Sequence, residues 1–190
     1  MLKKVMIKSH IKYLRNSHKF VMNGNVPTFM MQVNGEFATA LFDTGSSSFI
    51  TLKHSDLEKL RAKNLVEVID RGFGLGNIGV SGIEVIDSTY RVKITNLRFG
   101  PIRIIDAITE TQNVPVSLVG TRLLDYAKVI IDNPRRMIYI VPLNNEPIHP
   151  EYKLPNLGIS IIDGRLTVSE IWENHRQNIS IGDVITHVND

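Results

Sequence analysis

The chain of 190 residues contains no cysteine. A structural disulfide, a thiolate zinc site and a thiol nucleophile are therefore excluded, while the compartment stays open. Hydrophobic residues make up 43% of the chain and charged residues 22%, which is typical of a globular protein with a packed core. Since a domain takes roughly 150 residues, the length predicts one full domain and a smaller remainder.

Acidic residues are missing from residues 1–19, although this segment carries six of the 22 basic residues. The other residues are net acidic, because 19 acidic side chains face the basic ones that remain. Phosphate binding needs basic side chains clustered on a folded face, so we expect no nucleic-acid partner. We interpret residues 1–19 as a solvated basic arm, with weak contact to an anionic surface as the alternative.

Long apolar runs are also absent. Charged residues recur throughout residues 1–19, so the ~7 to 15 apolar residues of a signal peptide do not occur there. No other window approaches the ~18 apolar residues that a membrane span requires. We therefore expect neither a signal peptide in this sequence nor a membrane span, and the compartment is not indicated.

Short apolar and alternating runs separated by turn residues predict a mainly β fold. Asn34-Gly35 is typical of a two-residue hairpin turn. Ser55 is predicted to cap a helix over 55–64, and Thr121 to cap a short helix over 122–126. The predicted strands are 29–33, 37–42, 48–52, 66–69, 83–86, 90–94, 102–108, 116–120, 128–132 and 137–141.

Four prolines between positions 142 and 155 indicate a linker. We expect the basic arm at 1–19, the main domain at 20–142, the linker at 143–156 and a second unit at 157–190.

The sequence Asp43-Thr44-Gly45-Ser46 follows directly on the apolar run Thr39-Ala40-Leu41-Phe42. All four residue types favour turns, so a plain turn between two strands is the alternative to a functional site.

The surroundings of this motif resemble the retropepsin-like aspartic peptidases. The family places Asp-Thr/Ser-Gly at the end of a buried strand, then a glycine-rich flap hairpin, an apolar-apolar-Gly strand before a short helix, and a closing hairpin. The corresponding parts occur here in that order: Leu41-Phe42-Asp43-Thr44-Gly45-Ser46, residues 72–82, Leu118-Val119-Gly120 and residues 128–141. The resemblance implies a single-lobe closed β-barrel with one or two short helices.

The family chemistry uses two carboxylates held about 3 Å apart, which cannot both ionise and therefore share a proton. One acts as general base on a water and the other as general acid toward the scissile carbonyl. The resemblance implies that Asp43 supplies the carboxylate, that Thr44 ties its loop to the matching loop of the other half, and that Gly45 brings a backbone N–H to the carboxylate. It further implies that Ser46 donates to the outer carboxylate oxygen. Such a pair predicts an acidic activity optimum, and a profile still rising above about pH 7 would contradict it.

The chain contains one such motif, whereas the mechanism needs two carboxylates. Asp132 is the best second candidate, yet it lacks the Thr-Gly that follows Asp43. A symmetric homodimer would bring Asp43 of two chains together on a two-fold axis. We therefore expect a homodimer that acts on a polypeptide substrate without a cofactor.

The glycine cluster Gly74-Leu75-Gly76-Asn77-Ile78-Gly79 also matches the dinucleotide fingerprint G-x-G-x-x-G. That fingerprint must open a helix, whereas the residues that follow are β-branched and interrupted by glycine. The resemblance instead implies that Gly74, Gly76 and Gly79 bind the substrate backbone from a flap. A plain surface hairpin is the alternative.

Metal and serine chemistry find little support. The six histidines show no paired ligand spacing, so we expect no metal site. Ser46, Ser47 and Ser48 lack the G-x-S-x-G elbow of a serine nucleophile.

The C-terminal part resembles the beginning of a PDZ domain. The resemblance rests on Leu157-Gly158-Ile159-Ser160-Ile161 and on a G-D-x-I-x-x-V-N run that begins at Gly182. In that family the run precedes a helix that walls the peptide groove, and this sequence stops before it. A shortened unit and a strand extension that packs on the main domain both remain open. We expect Trp172, the one tryptophan, in the core of this unit.

Two functional hypotheses result. The first is an aspartic endopeptidase formed by a homodimer. The alternative is a non-catalytic retropepsin-like dimer that binds proteins through its cleft or its PDZ-like tail, in which Asp43 is vestigial.

Overall fold

The computed structural model describes residues 17–19, 21–23, 26–79, 82–173 and 178–187. Most of the predicted basic arm therefore lies outside the described residues. The described chain is mainly β, with one α-helix, α1 (His54–Ala62), and 3₁₀ helices at Thr121–Asp125 and Asn133–Arg135. The strands are β1 (Ser17–Lys19), β2 (Val21–Asn23), β3 (Val26–Val33), β4 (Glu36–Phe42), β5 (Ile50–Lys53), β6 (Glu67–Gly79), β7 (Gly82–Phe99), β8 (Ile102–Gln112), β9 (Ser117–Val119), β10 (Ala127–Asp132), β11 (Met137–Pro142), β12 (Leu157–Ile162) and β13 (Arg165–Trp172).

The chain divides into two compact units. The barrel unit comprises Met1–Glu67 and Lys93–Pro150, and the hairpin–tail unit comprises Val68–Val92 and Glu151–Asp190. Residues 151–190 are called the tail below, and residues 68–79 of β6 with 82–92 of β7 are called the glycine-rich hairpin. The predicted domain boundaries remain a prediction, as does the PDZ-like nature of the tail.

A closed ring of six strands forms the barrel unit, in the order β7, β8, β5, β9, β4, β3. The ring closes where Gln32 and Val33 of β3 pair with Arg98 and Leu97 of β7. Alternate side chains point inward, as the two-residue period of a strand requires. Fully buried core side chains come from several of these strands: Val33, Ala40, Leu52, Ile94, Leu97, Ile104 and Val119. The predicted mainly β closed barrel is therefore confirmed.

Strand β9 lies between β4 and β5 and determines where the Asp43 loop sits. It runs parallel to β4, with Leu41 opposite Leu118 and Phe42 opposite Val119. It runs antiparallel to β5, with Ile50 also opposite Val119. The loop that joins β4 to β5 must therefore pass beside the C-terminal end of β9.

The predicted turn at Asn34-Gly35 is confirmed between β3 and β4. Both residues have positive φ, +47° and +94°, as a type I′ hairpin turn requires. Asn34 also bonds to Asn96, because its backbone N–H donates to the Asn96 carbonyl at 2.8 Å and its Oδ1 accepts from the Asn96 N–H at 2.7 Å.

Helix α1 begins one residue earlier than predicted, and the predicted Ser55 cap is wrong. The N-cap is Lys53, which makes no side-chain cap bond. Strand β5 passes directly into α1, so no loop residue is left to cap it. Asp56 lies in the first helical turn, where a negative charge is favourable, and it accepts from Ser117 Oγ at 2.8 Å.

The glycine cluster does not interrupt its strand. Three separate strands were predicted over 66–69, 83–86 and 90–94, whereas the structure has the two long strands β6 and β7. In the tail, β12 and β13 form a hairpin around Asp163 and Gly164, whose φ angles are +49° and +74°. No helix among the described residues has the length and apolar character of a membrane span.

Candidate active site

Asp43 directly follows the last residue of β4. Its backbone N–H donates to the Val119 carbonyl at 2.9 Å, so it continues the pairing of β4 with β9. Its side chain is half-buried, while Thr44 and Gly45 are exposed. Strand geometry thus fixes the backbone of Asp43, and the residue remains partly accessible to solvent.

The loop backbone holds the Asp43 carboxylate. The Gly45 N–H donates to Asp43 Oδ1 at 2.8 Å, and a Cβ at position 45 would lie 3.2 Å from the same oxygen. Glycine therefore permits this approach, and a side chain there would press on the carboxylate.

The side chain of Ser46 joins a group of neighbouring hydroxyls. Its Oγ lies 2.8 Å from Ser48 Oγ, and Ser48 Oγ lies 3.1 Å from Thr51 Oγ1. The hydroxyl thus belongs to a chain of hydroxyls that runs toward β5, and donation from Ser46 to Asp43 stays a prediction.

Gly120 and Thr121 contact the backbone of the Asp43 loop. The Ser46 carbonyl accepts from the Thr121 N–H at 2.8 Å and from Thr121 Oγ1 at 3.0 Å. A Cβ on Gly120 would lie 2.2 Å from the Ser48 carbonyl oxygen and 2.6 Å from that of Ser46. Only glycine allows the two backbone segments to come this close.

Thr121 does not cap the following helix as predicted. The N-cap of the 3₁₀ helix is Gly120, and the Thr121 hydroxyl is used by the Ser46 carbonyl instead. The sequence did not predict the bond from the Thr121 hydroxyl to the Ser46 carbonyl. The signal for it was a hydroxyl residue directly after the glycine that ends the predicted strand.

We expect Thr121→Val to destabilise the protein by about 1 kcal/mol, because the isosteric side chain removes one donor to the Ser46 carbonyl and leaves the backbone donor in place. Urea denaturation measures the change. Thr121→Ser keeps the hydroxyl and is the matched control, so we expect it to lose less. Equal losses in the two variants would contradict a role for the hydroxyl bond.

Asp132, the second carboxylate that the sequence offered, is occupied structurally. Its Oδ2 lies 2.6 Å from Arg135 Nη1, and its Oδ1 accepts from the Arg135 N–H at 3.2 Å. The Arg135 side chain donates to Asp132, and this hydrogen bond raises the pKa of Arg135 above its ordinary value. Asp132 thus caps the second 3₁₀ helix, and its carboxylate is held by that helix.

The glycines predicted to bind substrate all lie on β6. Gly74 pairs with Glu170 of β13, and Gly76 and Gly79 follow along the same strand. A strand conformation differs from the helix start that a dinucleotide fingerprint requires. No group of three or more potential metal-ligating side chains was found among the described residues.

Comparison with known proteins gives similarity only among solved structures. No family model matches the sequence, and no curated protein does. One similar structure is a retropepsin-like aspartic protease from Rickettsia conorii, with a TM-score of 0.43 and 15% identity over 65% of this chain and 86% of that one. Another is the retroviral protease-like domain of Ddi1 from Leishmania major, with a TM-score of 0.39 and 14% identity over 65% of this chain and 98% of that one.

Proposed function

We propose that the protein is an aspartic endopeptidase whose active site is formed by Asp43 from each chain of a homodimer. The observation that carries this proposal is the placement of Asp43. It lies at the end of a strand, its carboxylate accepts from the Gly45 N–H, and the residue is only half-buried. Gly120 and Thr121 fasten its loop. A carboxylate held in this way has a fixed position and an accessible face, which general acid–base chemistry requires.

In the proposed site the second carboxylate comes from another molecule. Asp132, the in-chain candidate, is held by Arg135, and Thr44 and Gly45 are exposed beside Asp43. A two-fold axis near Asp43 would place two identical carboxylates side by side. In such a dimer Thr44 would contact the partner loop.

Two adjacent carboxylates that share one proton can hydrolyse a peptide bond. The ionised carboxylate takes a proton from a water as the water oxygen bonds to the scissile carbonyl carbon. The protonated carboxylic acid gives its proton to the carbonyl oxygen, which forms a gem-diol. Collapse of the gem-diol breaks the C–N bond, and the amine leaves with a proton returned from the carboxyl pair.

The glycine-rich hairpin is proposed to bind the substrate backbone. An extended peptide binds to a strand through main-chain hydrogen bonds, and Gly76 and Gly79 lie within β6. Glycine at these positions allows a second backbone to approach closely.

We expect peptidase activity only in the dimer. Sedimentation equilibrium and peptide cleavage measured over the same dilution series should show specific activity falling in step with the dimer fraction, because each monomer contributes one carboxylate. A monomer that keeps full specific activity at every concentration would contradict the shared site.

The alternative is a non-catalytic dimer that binds proteins through its cleft or its tail. The position of β12 favours it. Among the described strands, β12 lies at the edge of its sheet, and its Ile159 and Ile161 are 53% and 69% exposed. Edge strands of this kind can accept a further strand. Partner binding by a wild-type protein that cleaves no peptide would support this alternative.

A further inference from the structure

The glycine-rich hairpin and the tail belong to one compact unit. Strand β13 of the tail pairs antiparallel with β6 of the hairpin, with Glu170 opposite Gly74, Ile171 opposite Phe73 and Trp172 opposite Gly72. The strand that is proposed to bind substrate therefore has a tail strand as its neighbour in the sheet.

Two glycines of β6 are required by this contact. Gly74 has a φ of +152°, and a Cβ there would lie 2.0 Å from the Ser169 carbonyl oxygen. A Cβ on Gly72 would lie 2.8 Å from Thr89 Cγ2 and 3.2 Å from the Trp172 ring. Gly74, to which the resemblance assigned substrate binding, thus also serves the packing of the tail against the hairpin.

Arg91 connects the other strand of the hairpin to the tail. It lies on β7 and is 1% exposed, and its guanidinium carbon is 3.6 Å from the ring centroid of Trp172, which is fully buried. Its Nη2 donates to the Pro155 carbonyl at 2.6 Å. A buried charge requires such partners, and a planar guanidinium suits a stack on an aromatic face.

We propose that the tail positions the glycine-rich hairpin and that Arg91, stacked on Trp172, is the principal residue through which it does so. Strand β13 holds β6 and the Arg91 stack holds β7, so both strands are fixed at their base by the tail. A hairpin held in this way pays less conformational entropy when a peptide binds to it. The inference rests on the function proposed above, because that proposal assigns peptide binding to the hairpin.

Hydrogen–deuterium exchange of the full chain tests, independently of activity, whether the tail positions the hairpin. In Arg91→Met we expect amides of residues 68–79 and 82–92 to exchange about tenfold faster, because local opening no longer breaks the stack and the Pro155 bond. Amides of residues 93–150 should keep their rates. Unchanged hairpin exchange, or equal acceleration throughout the chain, would overturn the proposal.

Arg165→Met is the matched control. Arg165 belongs to the same strand as Trp172, but it is exposed beside the turn that joins β12 to β13. We expect wild-type exchange in this variant. Acceleration of the hairpin amides there would show that loss of an arginine elsewhere in this unit has the same effect, and would count against the stack.

A second pair of variants keeps the test decisive if Arg91→Met does not fold. Trp172→Phe keeps an aromatic face under Arg91, whereas Trp172→Leu keeps an apolar side chain without one. Both remove the indole N–H, which has no hydrogen-bond partner among the described residues. We expect hairpin exchange near the wild-type rate in Trp172→Phe and faster exchange in Trp172→Leu, while equal rates would contradict the role of the stack.

Peptide cleavage separates this inference from the proposed function. In Arg91→Met we expect KM to rise about fivefold or more with kcat nearly unchanged, because hairpin order affects peptide binding and not the carboxylates. Faster hairpin exchange with unchanged KM would refute the positioning role. Absence of cleavage in the wild type would refute the proposed function, and the exchange experiment would still decide whether the tail braces the hairpin.

Discussion

Asp43→Asn should reduce peptide cleavage by about a thousandfold or more. An amide neither takes a proton from water nor shares one with a second carboxylate, so general acid–base catalysis is lost. The substitution preserves shape, and the amide oxygen can still accept from the Gly45 N–H that now bonds to Oδ1. We therefore expect the melting temperature and the dimer fraction to stay close to those of the wild type.

Asp132→Asn is the matched control for this experiment. It makes the same chemical change at the other candidate carboxylate, which is bonded to Arg135. We expect cleavage to be retained and stability to change little, because an ion pair with an exposed partner contributes little and the amide oxygen can still accept from the Arg135 N–H. Cleavage that persists in Asp43→Asn, or that disappears only in Asp132→Asn, would refute the assignment of Asp43.

Gly120→Ala should destabilise the protein by about 3 kcal/mol. The new Cβ would lie 2.2 Å and 2.6 Å from the carbonyl oxygens of Ser48 and Ser46, and these backbone atoms cannot rotate away as a side chain would. The Asp43 loop must therefore shift. Because a misplacement of about 1 Å at a catalytic group costs roughly a hundredfold in rate, we expect cleavage to fall by at least that factor in the folded variant.

Urea denaturation with parallel cleavage assays measures both effects of Gly120→Ala. Gly164→Asn is the control, because Gly164 has positive φ with no atom within 4 Å of a built Cβ, and asparagine tolerates that conformation. We expect it to change stability by less than about 0.5 kcal/mol. A similarly small effect of Gly120→Ala would mean that the close approach beneath the Asp43 loop is not rigid.

The elements that the sequence predicted well depend on local patterns. Alternating residues indicate a strand, and Asn34-Gly35 supplies the positive φ angles of its turn without help from distant residues. The predicted cap at Ser55 is wrong because β5 passes directly into α1. The local sequence does not reveal that the strand and the helix follow each other without a loop.

The parts that the sequence could not predict depend on contacts between segments far apart in the chain. The motif around Asp43 was recognisable, but its fastening by Thr121 requires β9 to lie between β4 and β5. Likewise, the neighbour of Gly74 is a tail strand, and a glycine pattern alone does not show which backbone approaches it.

The distance between the two Asp43 carboxylates in an experimental structure of the dimer tests the account most directly. An aspartic peptidase requires this distance to be about 3 Å, so that the pair shares one proton. We predict a two-fold symmetric dimer with the carboxylates at that separation and Thr44 of each chain at the shared interface. A dimer that holds the two carboxylates far apart would contradict the proposed active site.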